Sequence, residues 1–155
     1  MTCLQELGRL TSLSKLAIYQ HHIEQYIHYS HNGPGDRLPA SDLAQLSSLT
    51  ALRSLTFAGA VVGTLPPAAL SNLQQLTSLD LTLPVFPPPG ATLPQRLEWV
   101  GQQQHLDGQH LAPLTALRRL RLADVELHLS EQQALAAWQR LEELQLVQLP
   151  DLGQI

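Results

Sequence analysis

The chain has 155 residues, room for one ordinary domain, and 34 of them are leucine, while charged residues make up 14% and aromatics 5%. Nine basic residues against 13 acidic ones leave a formal net charge of -4, a poor basis for gripping nucleic acid through its phosphates. One cysteine rules out an internal disulfide framework and any cysteine-based zinc site, and a mean hydropathy of -0.04 with no long apolar run rules out a membrane-spanning helix. The opening residues, MTCLQELGRLTSL, place acid and amide groups where a secretory signal needs a continuous apolar stretch. An unpaired Cys3 fits a reducing compartment, so an intracellular, cytoplasmic setting is expected.

The leucines recur in runs of the form L-x-x-L-x-x-L-x-L. In chain order they are Leu10, Leu13, Leu16 and Ile18; Leu49, Leu52, Leu55 and Phe57; Leu73, Leu76, Leu79 and Leu81; and Leu114, Leu117, Leu120 and Leu122. A fifth run has Trp138 in the first slot, then Leu141, Leu144 and Leu146. Spacing of three suits a helical or irregular segment, and the closing L-x-L has the period of a strand. Five strands are expected, centred on these closing pairs. Between them lie candidate helix starts: Ser41 or Asp42 before the second strand, Pro66-Pro67 ahead of Ala68, and Ser130 three residues before Gln133 in a capping-box pattern.

From Leu16 through Leu55, Leu79 and Leu120 to Leu144 the strand-to-strand steps are 39, 24, 41 and 24 residues. The shorter steps fall in the range of roughly 20 to 29 residues typical of leucine-rich repeats. With its recurrence in phase, the sequence resembles the leucine-rich repeat family over most of its length. Its alanine-, glutamine- and leucine-rich style is similar to that of green-algal members. The resemblance implies an α/β fold, a leucine-rich repeat solenoid with a curved parallel sheet and about five repeats. The family's usual asparagine, three residues after the last strand leucine, is replaced here by His21, Ala60, Pro84, Val125 and Leu149. The turns between coils must therefore be satisfied some other way.

The two long steps carry inserts, at about 20–40 and 84–110, in a single domain spanning 1–155. Gly33-Pro34-Gly35 and Pro87-Pro88-Pro89-Gly90 break regular structure in them. The first insert reads as a short hairpin or an extra irregular coil. In the second, Leu97 and Trp99 offer a degenerate sixth strand, against the alternative of a proline-stiffened loop. Neither end shows a polar capping unit, which a stacked array needs. The chain is read as part of a longer solenoid, as one that pairs through an end, or as one capped by Leu4, Leu7, Leu149 and Leu152.

No catalytic constellation emerges. His21, His22, His28 and His31 cluster in the first insert without the flanking ligands of a metal site, so no metal and no cofactor is expected. Cys3 has no histidine nearby in sequence to act as its base. Gly59-Ala60-Val61-Val62-Gly63 lacks the Lys and Ser/Thr of a phosphate loop. Glu142 and Glu143 are adjacent, so on a strand they face opposite sides.

The sheet face opposite the leucines remains. Strand alternation places three lanes on it: Lys15, Ser54, Ser78, Arg119 and Glu143; Ala17, Thr56, Asp80, Arg121 and Gln145; Tyr19, Ala58, Thr82, Ala123 and Val147. Tyr19, Asp80, Arg119, Arg121, Glu143 and Gln145 are the candidate partner-binding residues, because arginine and tyrosine anchor interfaces most often. The alternative is that the charges only neutralise one another across strands. The family resemblance implies a non-catalytic adaptor or scaffold that binds a protein partner, not nucleic acid or membrane, on the concave face. It also implies a cytoplasmic or ciliary-axonemal setting. The competing reading is a structural solenoid that self-associates through uncapped ends.

Overall fold

The computed structural model describes residues 6–19, 38–59, 61–62, 65–83, 92–94, 104–130, 132 and 139–147. Among the described residues nine strands follow in chain order: β1 (Lys15–Tyr19), β2 (Leu38–Pro39), β3 (Ser54–Ala58), β4 (Val61–Val62), β5 (Ser78–Thr82), β6 (Gln104–Asp107), β7 (Arg119–Ala123), β8 (Val125–His128) and β9 (Glu143–Val147). The architecture is α/β. Five strands form one parallel sheet in the order β1-β3-β5-β7-β9, and two small parallel pairs, β2-β4 and β6-β8, stand apart from it. Helical structure among the described residues is sparse and includes a 3-10 segment over Ala40–Ser48, another over Pro67–Ala69, and a short α-helix, α1, over Gly108–Leu111.

The period-three leucines have a direct physical cause. The N–H of Leu13 donates to the carbonyl of Leu10, Leu49 to Leu46, Leu52 to Leu49, Leu76 to Leu73, and Leu117 to Leu114, all within 2.9–3.2 Å. Each bond closes a three-residue turn, and side chains three apart on such a backbone eclipse one another. Every third residue therefore points the same way. Leu49, Leu52, Leu73, Leu76, Leu114 and Leu117 are all buried. The returns are thus tighter than α-helical. At Pro67–Ala69 the proline-led start holds, as a single 3-10 turn capped by Pro66. Ser41 and Asp42 lie inside their 3-10 segment, which already begins at Ala40.

On the sheet the period changes to two. β3 and β5 alternate, with Leu55 and Phe57, then Leu79 and Leu81, on the buried side. The register pairs Leu16 with Leu55, Leu55 with Leu79, Leu79 with Leu120, and Leu120 with Leu144. The leucine lanes pack with the returns into one continuous core running from Leu43 to Val125, against which Leu7, Leu13, Leu16, Ile18, Leu127 and Leu141 are partly buried. Leu144 and Leu146, in the same core lanes, are 41% and 54% exposed.

The joints between neighbouring segments are made by main chain. The carbonyl of Ser14 accepts from the N–H groups of Arg53 and Ser54, that of Arg53 from Thr77 and Ser78, that of Thr77 from Arg118 and Arg119, and that of Arg118 from Glu142 and Glu143, all at 2.7–3.1 Å. At the strand exits, Gly59 donates to Thr82, Leu83 to Ala123, and Asp124 to Val147. These bonds join neighbouring segments at the strand entries and exits through main chain alone. Asp124 has φ 57°, a left-handed conformation that aspartate tolerates, and it turns the chain from β7 into β8.

The second long segment ends in ordered structure: β6 and α1 occupy 104–111. The expected sixth strand near Leu97 and Trp99, the first insert up to residue 37, the capping box at Ser130–Gln133, Trp138, and both chain ends lie outside the described residues, wholly or in part. No helix among the described residues is long and apolar enough to cross a membrane.

Candidate functional site

The outer face of the five-stranded sheet carries the three lanes in the expected register. Lys15 pairs with Ser54, Ser54 with Ser78, Ser78 with Arg119, and Arg119 with Glu143. In the middle lane Ala17, Thr56, Asp80, Arg121 and Gln145 are successive partners. The face is small and uncharged across β3 and charged across β5, β7 and β9. Tyr19, 62% exposed, stands alone at the far edge on β1.

The two arginines on this face differ, one paired and one open. Arg121 turns toward β5, where its Nη1 donates to Asp80 Oδ1 at 2.9 Å and approaches Thr82 Oγ1 at 3.5 Å. Both partners are half-buried, so the guanidinium is held in place across the strands. Arg119 is exposed and sits opposite Glu143, but the ion pair at this corner is made by their neighbours: Arg118 Nη1 donates to Glu142 Oε1 at 2.9 Å. Arg119 is therefore without an ion pair among the described residues. The third lane is not open throughout, because Ala123 is buried.

A second polar arrangement was not foreseen from sequence. Among the described residues, Gln104 on β6 and His110 on α1 are the buried polar side chains, and both address the backbone of Leu65. The Leu65 N–H donates to Gln104 Oε1 at 3.2 Å, and its carbonyl lies 2.8 Å from His110 Nε2. A carbonyl only accepts, so Nε2 carries the hydrogen. At the other ring nitrogen, Asp107 N–H and Asp107 Oδ1 lie 3.2 and 2.9 Å away. The neutral ring accepts from the first, and the charged ring donates to the second. Asp107 also caps α1 through Gln109 and His110 N–H. The hydrogen bond from His110, with the two from the helix backbone, holds the Asp107 carboxyl below the usual carboxylate range. Two backbone groups of one leucine are thus satisfied by side chains 39 and 45 residues away. No local sequence pattern signals such a contact.

Outside the face, His105, Glu126 and His128 bring metal-ligating atoms together on the small β6-β8 sheet. The histidines of the first insert and Cys3 lie outside the described residues. The sequence matches no protein-family model and none of the curated proteins.

Proposed function

We propose that the chain forms a leucine-rich repeat solenoid and serves as a non-catalytic protein-interaction module, an adaptor or scaffold that takes a segment of a partner protein on the concave face of the main sheet. The observation carrying this reading is the pairing of a fixed and an open guanidinium on adjacent outer positions of β7. Arg121 is anchored by Asp80, and Arg119 is exposed and unpaired among the described residues, with Glu143 and Gln145 on the next strand. An anchored charge loses little side-chain freedom on binding, and an exposed one supplies the new contact. An acidic or amide-bearing segment fits this corner, and Tyr19 offers a second contact across the sheet. The reading places the protein in the cytoplasm or the ciliary axoneme and involves neither nucleic acid nor membrane.

The test is retention of a partner from source-cell lysate by the wild-type chain, by Arg119→Glu and by Arg9→Glu, the last removing a charge away from the face. Circular dichroism first establishes equal folding. A partner held by wild type and Arg9→Glu but lost by Arg119→Glu supports the reading. Equal retention by all three, or by none, defeats it.

A second reading rests on the exposed core-lane leucines of β9, an edge strand of the sheet. Such an edge pairs readily with another chain. Here the protein self-associates, sedimentation velocity shows a concentration-dependent oligomer, and Leu146→Lys makes it monomeric.

A further inference from the structure

We propose that His105, Glu126 and His128 form a binding site for a divalent transition-metal ion, with zinc as the probe of the class. The three side chains share the outer side of the β6-β8 pair. His105 is the register partner of Glu126, and His128 follows Glu126 by two residues, so strand alternation returns it to the same side. On the inner side Leu106 and Val125 are buried in the core, which fixes the orientation of both strands. The ligands therefore project from paired backbone and not from a loop.

The spacing suits a metal. His105 Nδ1 lies 3.3 Å from Glu126 Oε2, and His128 Nε2 lies 3.3 Å from Glu126 Oε1. With metal–ligand distances of roughly 2.0–2.2 Å, ligand atoms around a tetrahedral zinc stand about 3.3 Å apart. Each histidine nitrogen stands at that distance from one oxygen of the carboxylate, the two from different oxygens, and one ligand atom from each residue lies within 4.8 Å of the others. The imidazoles meet edge to face with centroids 4.9 Å apart, and each presents one nitrogen to the same carboxylate. Two imidazoles and one carboxylate suit zinc, nickel, copper or cobalt, and not the harder calcium or magnesium.

Glu126 bridging two histidines also makes sense as a proton-mediated contact, and the two accounts diverge in solution. A metal requires both rings unprotonated at the coordinating nitrogen, so binding releases protons and weakens as pH falls. The ion replaces them and ties β6 to β8 across 21 residues of chain. The three side chains are half-exposed, leaving further coordination positions to water.

The experiment uses the full chain, prepared without an affinity tag and freed of metal by chelation. Zinc is titrated by calorimetry, and cobalt by its visible absorption. Four proteins are compared: wild type, His105→Ala, His128→Ala, and a variant with His21, His22, His28 and His31 all changed to Ala. The expected result is one equivalent bound by wild type and by the fourfold variant. Affinity falls by more than about tenfold in His105→Ala and in His128→Ala. Histidine side-chain NMR then shows the two rings shifting together with zinc. No binding by wild type, unchanged affinity in the two single variants, or loss confined to the fourfold variant overturns the proposal.

Discussion

Single side chains divide sharply into those that hold the chain together and those that face solvent. His110 belongs to the first group. Its ring closes one hydrogen bond to a buried carbonyl and takes part in the cap of α1. Replacing it with alanine strands the Leu65 carbonyl in the core, a loss of about 1–3 kcal/mol. The expected outcome for His110→Ala is a lower urea midpoint with an unchanged slope. Gln104→Ala produces a similar drop, and the double variant loses less than the two single losses added, because both side chains serve one residue. The Asp80–Arg121 pair differs: half-exposed, it contributes roughly 0–1 kcal/mol. Asp80→Asn leaves the midpoint nearly unchanged while freeing Arg121. Little of this was legible in the sequence. The outer lanes followed from strand alternation, so the Asp80 and Arg121 positions were readable before any coordinates. The duty of His110 was not, since its partner lies 45 residues away and a lone histidine carries no mark of what it will touch.

At the scale of elements, the leucine pattern was legible almost completely, because a period change from three to two is a backbone property. The strands fall on the expected closing pairs, and their register follows the same leucines. The returns were less readable. Spacing of three is compatible with an α-helix stripe or with 3-10 turns, and only the hydrogen bonds between successive leucines decide for the second. β2 and β4 were missed because they have two residues each, too few for a periodic signal. Position within the sheet, not residue type, sets the worth of each leucine. Leu79→Ala on central β5 opens a cavity and loses about 2–5 kcal/mol. Leu144→Ala, in the same lane on edge strand β9, loses less than about 1 kcal/mol. Equilibrium denaturation of the two variants checks the contrast.

Across the main sheet, each strand pairs only with its immediate neighbours. Amide exchange is expected to be slowest in β3, β5 and β7, whose core-facing leucines are buried and which have a paired strand on each edge, and fastest in β1 and β9. Uniform protection across all five strands contradicts this. The alternation of long and short steps adds a larger period: β1 to β5 spans 63 residues and β5 to β9 spans 65. The segments entering β3 and β7 read LTALRSL and LTALRRL, near copies in equivalent places.

Those near copies meet their neighbours through carbonyls of Ser14, Arg53, Thr77 and Arg118, so a serine, a threonine and two arginines make one and the same contact. A contact written in main chain places no demand on which side chain stands there. A segment can then be duplicated, or moved along the gene, and still fit the segment beside it without compensating mutations. The outer lanes are thereby left free to differ between these segments, as uncharged β3 and arginine-bearing β7 do.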